Sequence, residues 1–410
     1  MSQPSVSLRA TTRHSTSDQP PTWAPALATI ALLTALGVLM AGQMYTVLAL
    51  LHPMAASLGT TPGQATWTAT AFGFAYAAGF LLAGPLADRY GSRAVITTGL
   101  VAATAATAAV SVAPDLPTAV VLRSVQGLTA AAFAPSALSY VAHHIAPRHR
   151  GTALTCITSG MLAAAVIMQI SAQAVAALLD WRAFFLVTSA VIALFLLPVR
   201  RVLRPALHHG PRGGLLQAFS GMPRLLRRPR LAALYLSTVT LMSAFVAVYT
   251  AVAVAGPPSI AGNSSAVLVL RASALPALVA IPLLAPVLQR LAAPLRAVLA
   301  FALAALAVMV GSLLGNHPVP LAMALLMFVA AVAAAAPAVI ETINAATAPH
   351  SRGAAVALYG CSMFVGASLG PQLSGALTGL GFGGILRLVA AALALGILLA
   401  LPTLRNQRAA

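Results

Sequence analysis

Gly84-Pro85-Leu86-Ala87-Asp88-Arg89-Tyr90-Gly91-Ser92-Arg93 is a short charged turn between two long apolar runs. Nearly everything before it from Pro25, and after it from Ala94 to Ala113, is apolar enough to sit in hydrocarbon. Asp88 and its arginines stand alone in that landscape. Gly84 and Gly91 bracket them, where two helix ends must approach and the chain must turn. An aspartate beside a bilayer needs a partner. The arginines of its own turn, or the free N–H groups of a helix N-terminus, would supply one.

The rest of the chain has the same character. Of 410 residues, 60% are apolar and only 7% are charged. A soluble surface does not survive that balance, so the class is an all-α polytopic membrane protein. The positive charge is all arginine, and the formal net charge is +18. Cys156 and Cys361 both lie in apolar runs and form no metal or disulfide framework. His143-His144 and His208-His209 are adjacent pairs that cannot share one helix face, so no metal site is expected. With five acidic residues in all, acid–base enzymology has almost nothing to work with, and neither an enzyme nor a cofactor is expected.

A spanning helix needs about 20 apolar residues. Reading between breakers places spans near 25–50, 67–87, 94–113, 118–142, 152–178 and 183–199. A basic linker at 200–230 follows, and then spans near 231–255, 266–288, 295–314, 321–343, 354–380 and 385–404. Residues 1–24 read as a disordered tail and 405–410 as a second tail. The chain is thus expected to hold twelve transmembrane helices in two six-helix halves, 25–199 and 231–404. The arginines test this count. The tails and the turns holding Arg89 and Arg93, Arg148 and Arg150, Arg200 to Arg230, Arg290 and Arg296, and Arg352 all fall on one side. The other side holds only Arg182 and Arg387, while Arg123 and Arg271 lie inside spans. The positive-inside rule puts both termini in the cytoplasm, and the basic charge is topological, with no nucleic-acid partner expected.

The halves repeat. Ala134-Pro135, Ala146-Pro147 and Arg150-Gly151 match Ala336-Pro337, Ala348-Pro349 and Arg352-Gly353 at a constant offset of 202 residues (135 to 337, 151 to 353). Ala285-Pro286-Val287-Leu288-Gln289-Arg290 answers the opening turn, with Gln289 where Asp88 stood. Duplicated six-span units of like orientation suit a carrier built from two halves.

The opening turn resembles the loop signature G-x-L-a-D-R-x-G-r-R of the major facilitator superfamily of secondary transporters. Arg123-Ser124-Val125-Gln126-Gly127 resembles that family's fourth-helix signature R-x-x-Q-G. The resemblance implies the family's twelve-helix fold, alternating access and a small-molecule substrate. It implies that Gly84, Asp88, Arg89, Gly91 and Arg93 form a gate in which Asp88 meets the start of the eleventh helix, near Gly353-Ala354, when the cytoplasmic side is shut. It also implies a coupling or substrate role for Arg123 and Gln126. The chain resembles the bacterial exporter-like branch, so efflux across the bacterial inner membrane by a monomer is expected. Import or facilitated passage of a small anionic solute is the alternative, suggested by Arg123 and Arg271. Two features depart from proton-coupled drug antiporters: the fifth span shows Ser159-Gly160-Met161 in place of a Gly-Pro signature, and the first span has no acid.

Other polar groups in apolar runs complete the candidate set. Arg123 should face water or a partner, or else snorkel to the external end. Glu341, the only carboxylate within a span, reads as a gate salt bridge with Arg290 or Arg352, or as a proton carrier. Gln43, Gln169, Gln173, Arg271 and Tyr359 could line the cavity or bond neighbouring helices. So could Tyr45, Tyr249 and Gln372. Pro135, Pro276, Pro282, Pro337 and Pro371 should bend their spans, and Gly366-x-x-x-Gly370 should permit close packing.

Overall fold

The computed structural model describes residues 23–205, 221–257, 260, 266, 269–270, 272–315, 317–348 and 351–404. Among these residues there are helices and no strand, as expected where hydrocarbon forces each segment to satisfy its own backbone. The first half comprises α1 (Ala26–Ser57), the one-turn α2 (Pro62–Ala65), α3 (Trp67–Tyr90), α4 (Ser92–Val110), α5 (Leu116–Ala130), α6 (Phe133–His144), α7 (Pro147–Leu178) and α8 (Trp181–Val202). A short helix, α9 (Met222–Leu226), precedes the second half. That half comprises α10 (Pro229–Ala255), α11 (Leu275–Leu288), α12 (Ala293–Leu314), α13 (Pro318–Ala345), α14 (Arg352–Ala376) and α15 (Gly381–Ala400).

With α2–α3 and α5–α6 each taken as one span, ten helices among the described residues are long and apolar enough to cross a membrane. The bent α7, with 41° between its parts at Met161 and Ala163, makes eleven. In place of the expected eighth span, α11 covers 14 residues; residues 267, 268 and 271 of that stretch lie outside the described residues.

Several boundaries differ from the sequence reading for local reasons. The α3–α4 turn is a single residue. Gly91 takes φ +84°, so Asp88 and Arg89 sit on the last turn of α3 rather than in a loop. The fourth span is broken between Ala130 and Phe133, because Pro135 brings no N–H and its ring displaces the carbonyl of Ala131. The sixth span runs on to Val202, since Arg200 and Arg201 suit a helix C-terminus. The expected linker is partly helical at α9, and residues 206–220 of it lie outside the described residues. The eleventh span stops at Ala376 and a 3-10 turn, Thr378–Leu380, follows.

Two aspartates set the opposite end of the bundle. Asp115 caps α5 by accepting from Thr118 N at 2.9 Å, and Asp180 caps α8 by accepting from Ala183 N at 2.6 Å. Their carboxylates satisfy N–H groups that a helix start leaves free. Arg182 then ties this end together, donating to Ser57 Oγ at 2.5 Å and to the Ala113 carbonyl at 2.9 Å. The bundle thus has a turn end, which holds Gly91, and a cap end, which holds Asp115 and Asp180.

Within the first half α1 packs on α7, α3 on α5, and α4 on α8; within the second, α10 packs on α14 and α15, and α12 on α13 and α15. Lipid tails are as apolar as leucine, so contact between such helices depends on close fit and internal hydrogen bonds. Small residues supply the fit. A Cβ at Gly127 would collide with the backbone of Phe72, and Cβ atoms at Gly366 and Gly370 would collide with Val239 and Ser243 of α10. The expected role of the Gly366-x-x-x-Gly370 pair is met there.

Candidate functional site

The halves meet along a seam formed mainly by α3 against α14, with α1 against α10 and α7 against α11. At the cap end the seam is shut and polar. Gln372 donates to Thr66 Oγ1 and Thr70 Oγ1, both at 3.2 Å, and Thr70 Oγ1 donates to the Ser368 carbonyl at 2.8 Å. A Cβ at Gly375 would lie 3.1 Å from Thr66 Oγ1, and one at Gly73 would overlap Ser368 Oγ. Midway along, the contact is aromatic. Tyr76 and Phe364 have ring centroids 4.0 Å apart, Phe80 and Phe364 5.9 Å, and Tyr45 and Phe245 6.2 Å. A Cβ at Gly360 would run into the Phe80 ring.

Beyond Gly360 the seam parts. Cβ atoms at Gly84 and at Gly353 would each meet nothing within 4 Å. Asp88, Arg89, Arg290 and Arg352 are exposed here. Among the described residues the only ion pair is Arg296–Glu341, so Asp88 is paired neither with an arginine of its own turn nor across the seam. Arg89 lies 5.4 Å from the Tyr90 ring centroid, and Arg93 donates to the Arg200 carbonyl at 2.8 Å. The two glycines that bracket the turn therefore do different work: Gly91 makes the joint and Gly84 leaves the surface bare.

Glu341 corrects the sequence reading. Its partner is Arg296, on the first turn of α12, and not Arg290 or Arg352. The Arg296 side chain is 7% exposed and that of Glu341 46%. Sequence alone places Arg296 only among the topological charges. The repeat only hints at it: Arg296 lies near the end of the second copy of the turn, 203 residues after Arg93, and the offset of 202 sets Leu295 opposite Arg93 instead.

Arg123 is 0% exposed, so it neither faces an open cavity nor snorkels. Its Nε donates to the Thr68 carbonyl at 3.3 Å, one terminal nitrogen to the Gln43 carbonyl at 3.0 Å, and the other to Gln126 Oε1. Gln126 Nε2 donates to Thr107 Oγ1 at 3.0 Å and to Gln43 Oε1, which also accepts from Thr107 Oγ1 at 2.9 Å. The guanidinium carbon stands 4.3 Å from the Phe72 centroid and 5.8 Å from that of Phe185. Arg123, Gln126 and Gln43 thus join α5, α1, α3 and α4. The charge is met by carbonyls, an amide and ring faces, which is how a buried cation is held without a carboxylate.

The remaining candidates scatter. Tyr359 donates to the Ala336 carbonyl at 3.0 Å, tying α14 to α13 beside Pro337. Gln169 turns its amide onto the Ala165 carbonyl of its own helix. Gln173 is half-buried on the same helix. Arg271 lies outside the described residues. No group of histidine, cysteine, aspartate and glutamate among the described residues could hold a metal ion. A crevice of about 550 Å³ opens between α11, α12 and α13, lined by apolar side chains including Ile281, Val310 and Met327. None of the candidate residues reaches it.

Comparison with known proteins agrees with this architecture. A crystal structure of a mutant of the peptide transporter POT in complex with alafosfalin superposes with a TM-score of 0.74 at 14% identity, covering 92% of this chain and 94% of that one. A POT complex with sulfate gives 0.72 at 15% identity over the same shares. These likenesses concern the fold alone. A methylenomycin A resistance protein of Streptomyces coelicolor is 34% identical over 107 residues, 26% of this chain and 22% of its own length. The puromycin resistance protein pur8 of Streptomyces alboniger is 31% identical over 144 residues, 35% of this chain and 29% of its own. The chain therefore matches less than a third of the length of these curated relatives. Residues 31–270, more than half of the chain, match the family described as Major Facilitator Superfamily, and this multi-pass membrane protein, a transporter and not an enzyme, belongs to that family.

Proposed function

We propose that the chain exports small organic molecules across the bacterial cytoplasmic membrane by alternating access. The observation that carries the reading is the one-sided seam: shut from Gly375 to Phe80, bare from Gly84 and Gly353 outward. A carrier of this design exposes its centre to one side at a time, by rocking one half against the other about the seam. The arginine bias makes the turn end cytoplasmic, so the state described is the inward-facing one. Similarity to two Streptomyces resistance proteins supports the outward direction.

In the opposite state α3 and α14 close at the turn end. Asp88 then reaches the start of α14 near Gly353, where free N–H groups and Arg352 would hold it. Gly84, Arg89, Gly91, Arg93 and Arg290 belong to the same cytoplasmic gate. The Arg296–Glu341 pair holds the second half's side of that gate. Arg123, Gln126 and Gln43 act indirectly, by keeping the first half rigid as it turns. Gln169, Gln173 and Tyr359 are assigned to the walls exposed as the halves part.

The test uses the full chain in membrane vesicles from a strain lacking its own major exporters. Labelled puromycin, with other labelled antibiotics beside it, is offered to inverted and to right-side-out vesicles under an imposed pH gradient. Uptake confined to inverted vesicles is expected. Uptake confined to right-side-out vesicles would make the protein an importer.

A further inference from the structure

The middle of the seam is built from rings, and one of them carries a hydroxyl with nowhere to go. Tyr76 is 0% exposed and its Oη has no hydrogen-bond partner. Buried hydroxyls are almost always bonded, because leaving one bare forfeits its hydration for nothing. Tyr76 lies across the seam against Phe364, with Phe80 on the same ring. Tyr45 meets Phe245 across the seam on the neighbouring pair of helices. These are the contacts that must separate when the halves rock, and they become facing walls when they do.

Charge selects among the molecules such walls could take. The five acidic residues of the chain are all accounted for. Asp18 precedes the described residues, Asp88 and Glu341 stand at the turn end, and Asp115 and Asp180 cap helices at the other end. Among the described residues no carboxylate stands where it could meet a cation halfway across. Among the described residues the one charge at that depth is positive: the Arg123 guanidinium sits 4.3 Å from the Phe72 centroid, and Phe72 is 5.8 Å from Tyr76. Rings alone can host a cation, but here a buried cation with no carboxylate beside it lies one ring away and opposes a second.

We propose that the seam is a binding site for uncharged, ring-bearing molecules with a hydrogen-bond acceptor such as a carbonyl, received by the Tyr76 hydroxyl between the Tyr45–Phe245 and Tyr76–Phe364 pairs. The proposal rests on the transport reading above and adds a substrate class to it.

Three anthracene probes test it on the purified full chain in lipid nanodiscs, by fluorescence titration: 9-anthracenecarboxamide, 9-ethylanthracene, and a 9-anthracenylmethyl trimethylammonium salt. The amide is expected to bind about tenfold or more tighter than the cation, the scale of one desolvated charge interaction. Tyr76→Phe keeps the ring and its packing, and is expected to weaken the amide about five- to tenfold, as the loss of one hydrogen bond does, while leaving the hydrocarbon unchanged. A monodisperse Tyr76→Phe protein with unchanged amide affinity overturns the proposal. So does cation binding as tight as that of the amide, or no binding by any probe. The vesicle assay is independent: vesicle transport with failure here removes only the substrate class, whereas failure in both removes the exporter reading as well.

Discussion

The two halves arose from one sequence pattern and now hold themselves together by different physics. At the repeat offset of 202, Gln43 corresponds to Phe245, Arg123 to Leu325 and Gln126 to Phe328. In the first half these positions form a hydrogen-bonded knot around a buried guanidinium. In the second, Phe245 and Phe328 face one another at 6.3 Å between centroids, and Leu325 is buried beside them. The same helix pair is joined by directional bonds in one copy and by ring contact in the other. Directional bonds fix one geometry and tolerate little displacement. Ring contact survives sliding, and Phe245 also reaches Tyr45 across the seam. The first half thus reads as the rigid body and the second as the one that accommodates.

The largest expected effect sharpens that contrast directly. Arg123→Met keeps much of the volume but removes the donor to the Thr68 carbonyl and to the Gln43 carbonyl, which keeps Thr46 Oγ1 at 2.9 Å, and strands the Gln126 amide oxygen. A loss of about 3 kcal/mol or more is expected, from three hydrogen bonds of a charged donor lost at once. The repeat-related Leu325→Met should cost less than about 1.5 kcal/mol. Thermal unfolding of both variants in detergent checks the pair, and equal losses would break the comparison. Arg123→Lys should fall between them, since an ammonium cannot reproduce the planar fork.

Next come the two ends of the seam. Gly73→Leu should block closure at the cap end, because even a Cβ there overlaps Ser368. Gly84→Leu should leave the described state untouched and hinder the opposite one. Cysteine accessibility at the turn end should therefore fall in the first variant and rise in the second, with transport reduced about tenfold or more in both if each opposes one state by more than about 1.4 kcal/mol. Shifts in the same direction would refute the two-ended seam.

A smaller effect concerns the charged corners. Glu341→Gln removes the countercharge of a nearly buried arginine and should slow all transport modes several-fold, solute exchange included. Arg93→Ala loses only a bond to a carbonyl and should do less. If Glu341→Gln instead leaves exchange intact and removes its dependence on a pH gradient, the acid carries the proton rather than the gate.

The smallest effect lies at the cap end. The Thr118 N–H holds the Asp115 carboxyl below the ordinary aspartate range. A folded-state value depressed in this way adds stability above the unfolded value, and that contribution is lost as pH falls through the folded one. Asp115→Asn keeps an acceptor at the cap. It should differ from the parent slightly at neutral pH and converge with it in acid, as a series of melting curves would record.

How far the sequence can be read follows from range. Span positions, the duplication and the charge bias are written in local composition, and ten spans among the described residues, eleven with the bent α7, fall near where that composition puts them. The close packing at Gly366 and Gly370 and the break at Pro135 are also local, and both are legible. What is not legible is pairing across tens of residues. Glu341 has three arginines within plausible reach, and nothing in its neighbourhood chooses Arg296. Arg123 is visible as an anomaly, but its burial depends on Thr68, Gln43 and Thr107 arriving from three other helices. The state of the gate is beyond sequence altogether, because both states use the same residues. The feature that sequence reasoning misses is the aromatic seam. Tyr76 sits in a run of Phe72, Phe74 and Phe80 that reads as ordinary apolar helix until Phe364 is placed opposite.

Gly91 is the only residue between α3 and α4, with a positive φ that a side chain would strain. A joint of one residue has no slack. In the proposed rocking of α3 against α14, the torque would pass straight into α4, and from there into α8, on which α4 packs. On that reading α3 would act as a lever with its fulcrum at Gly91, and lengthening that joint by even a few flexible residues would turn the lever into a tether.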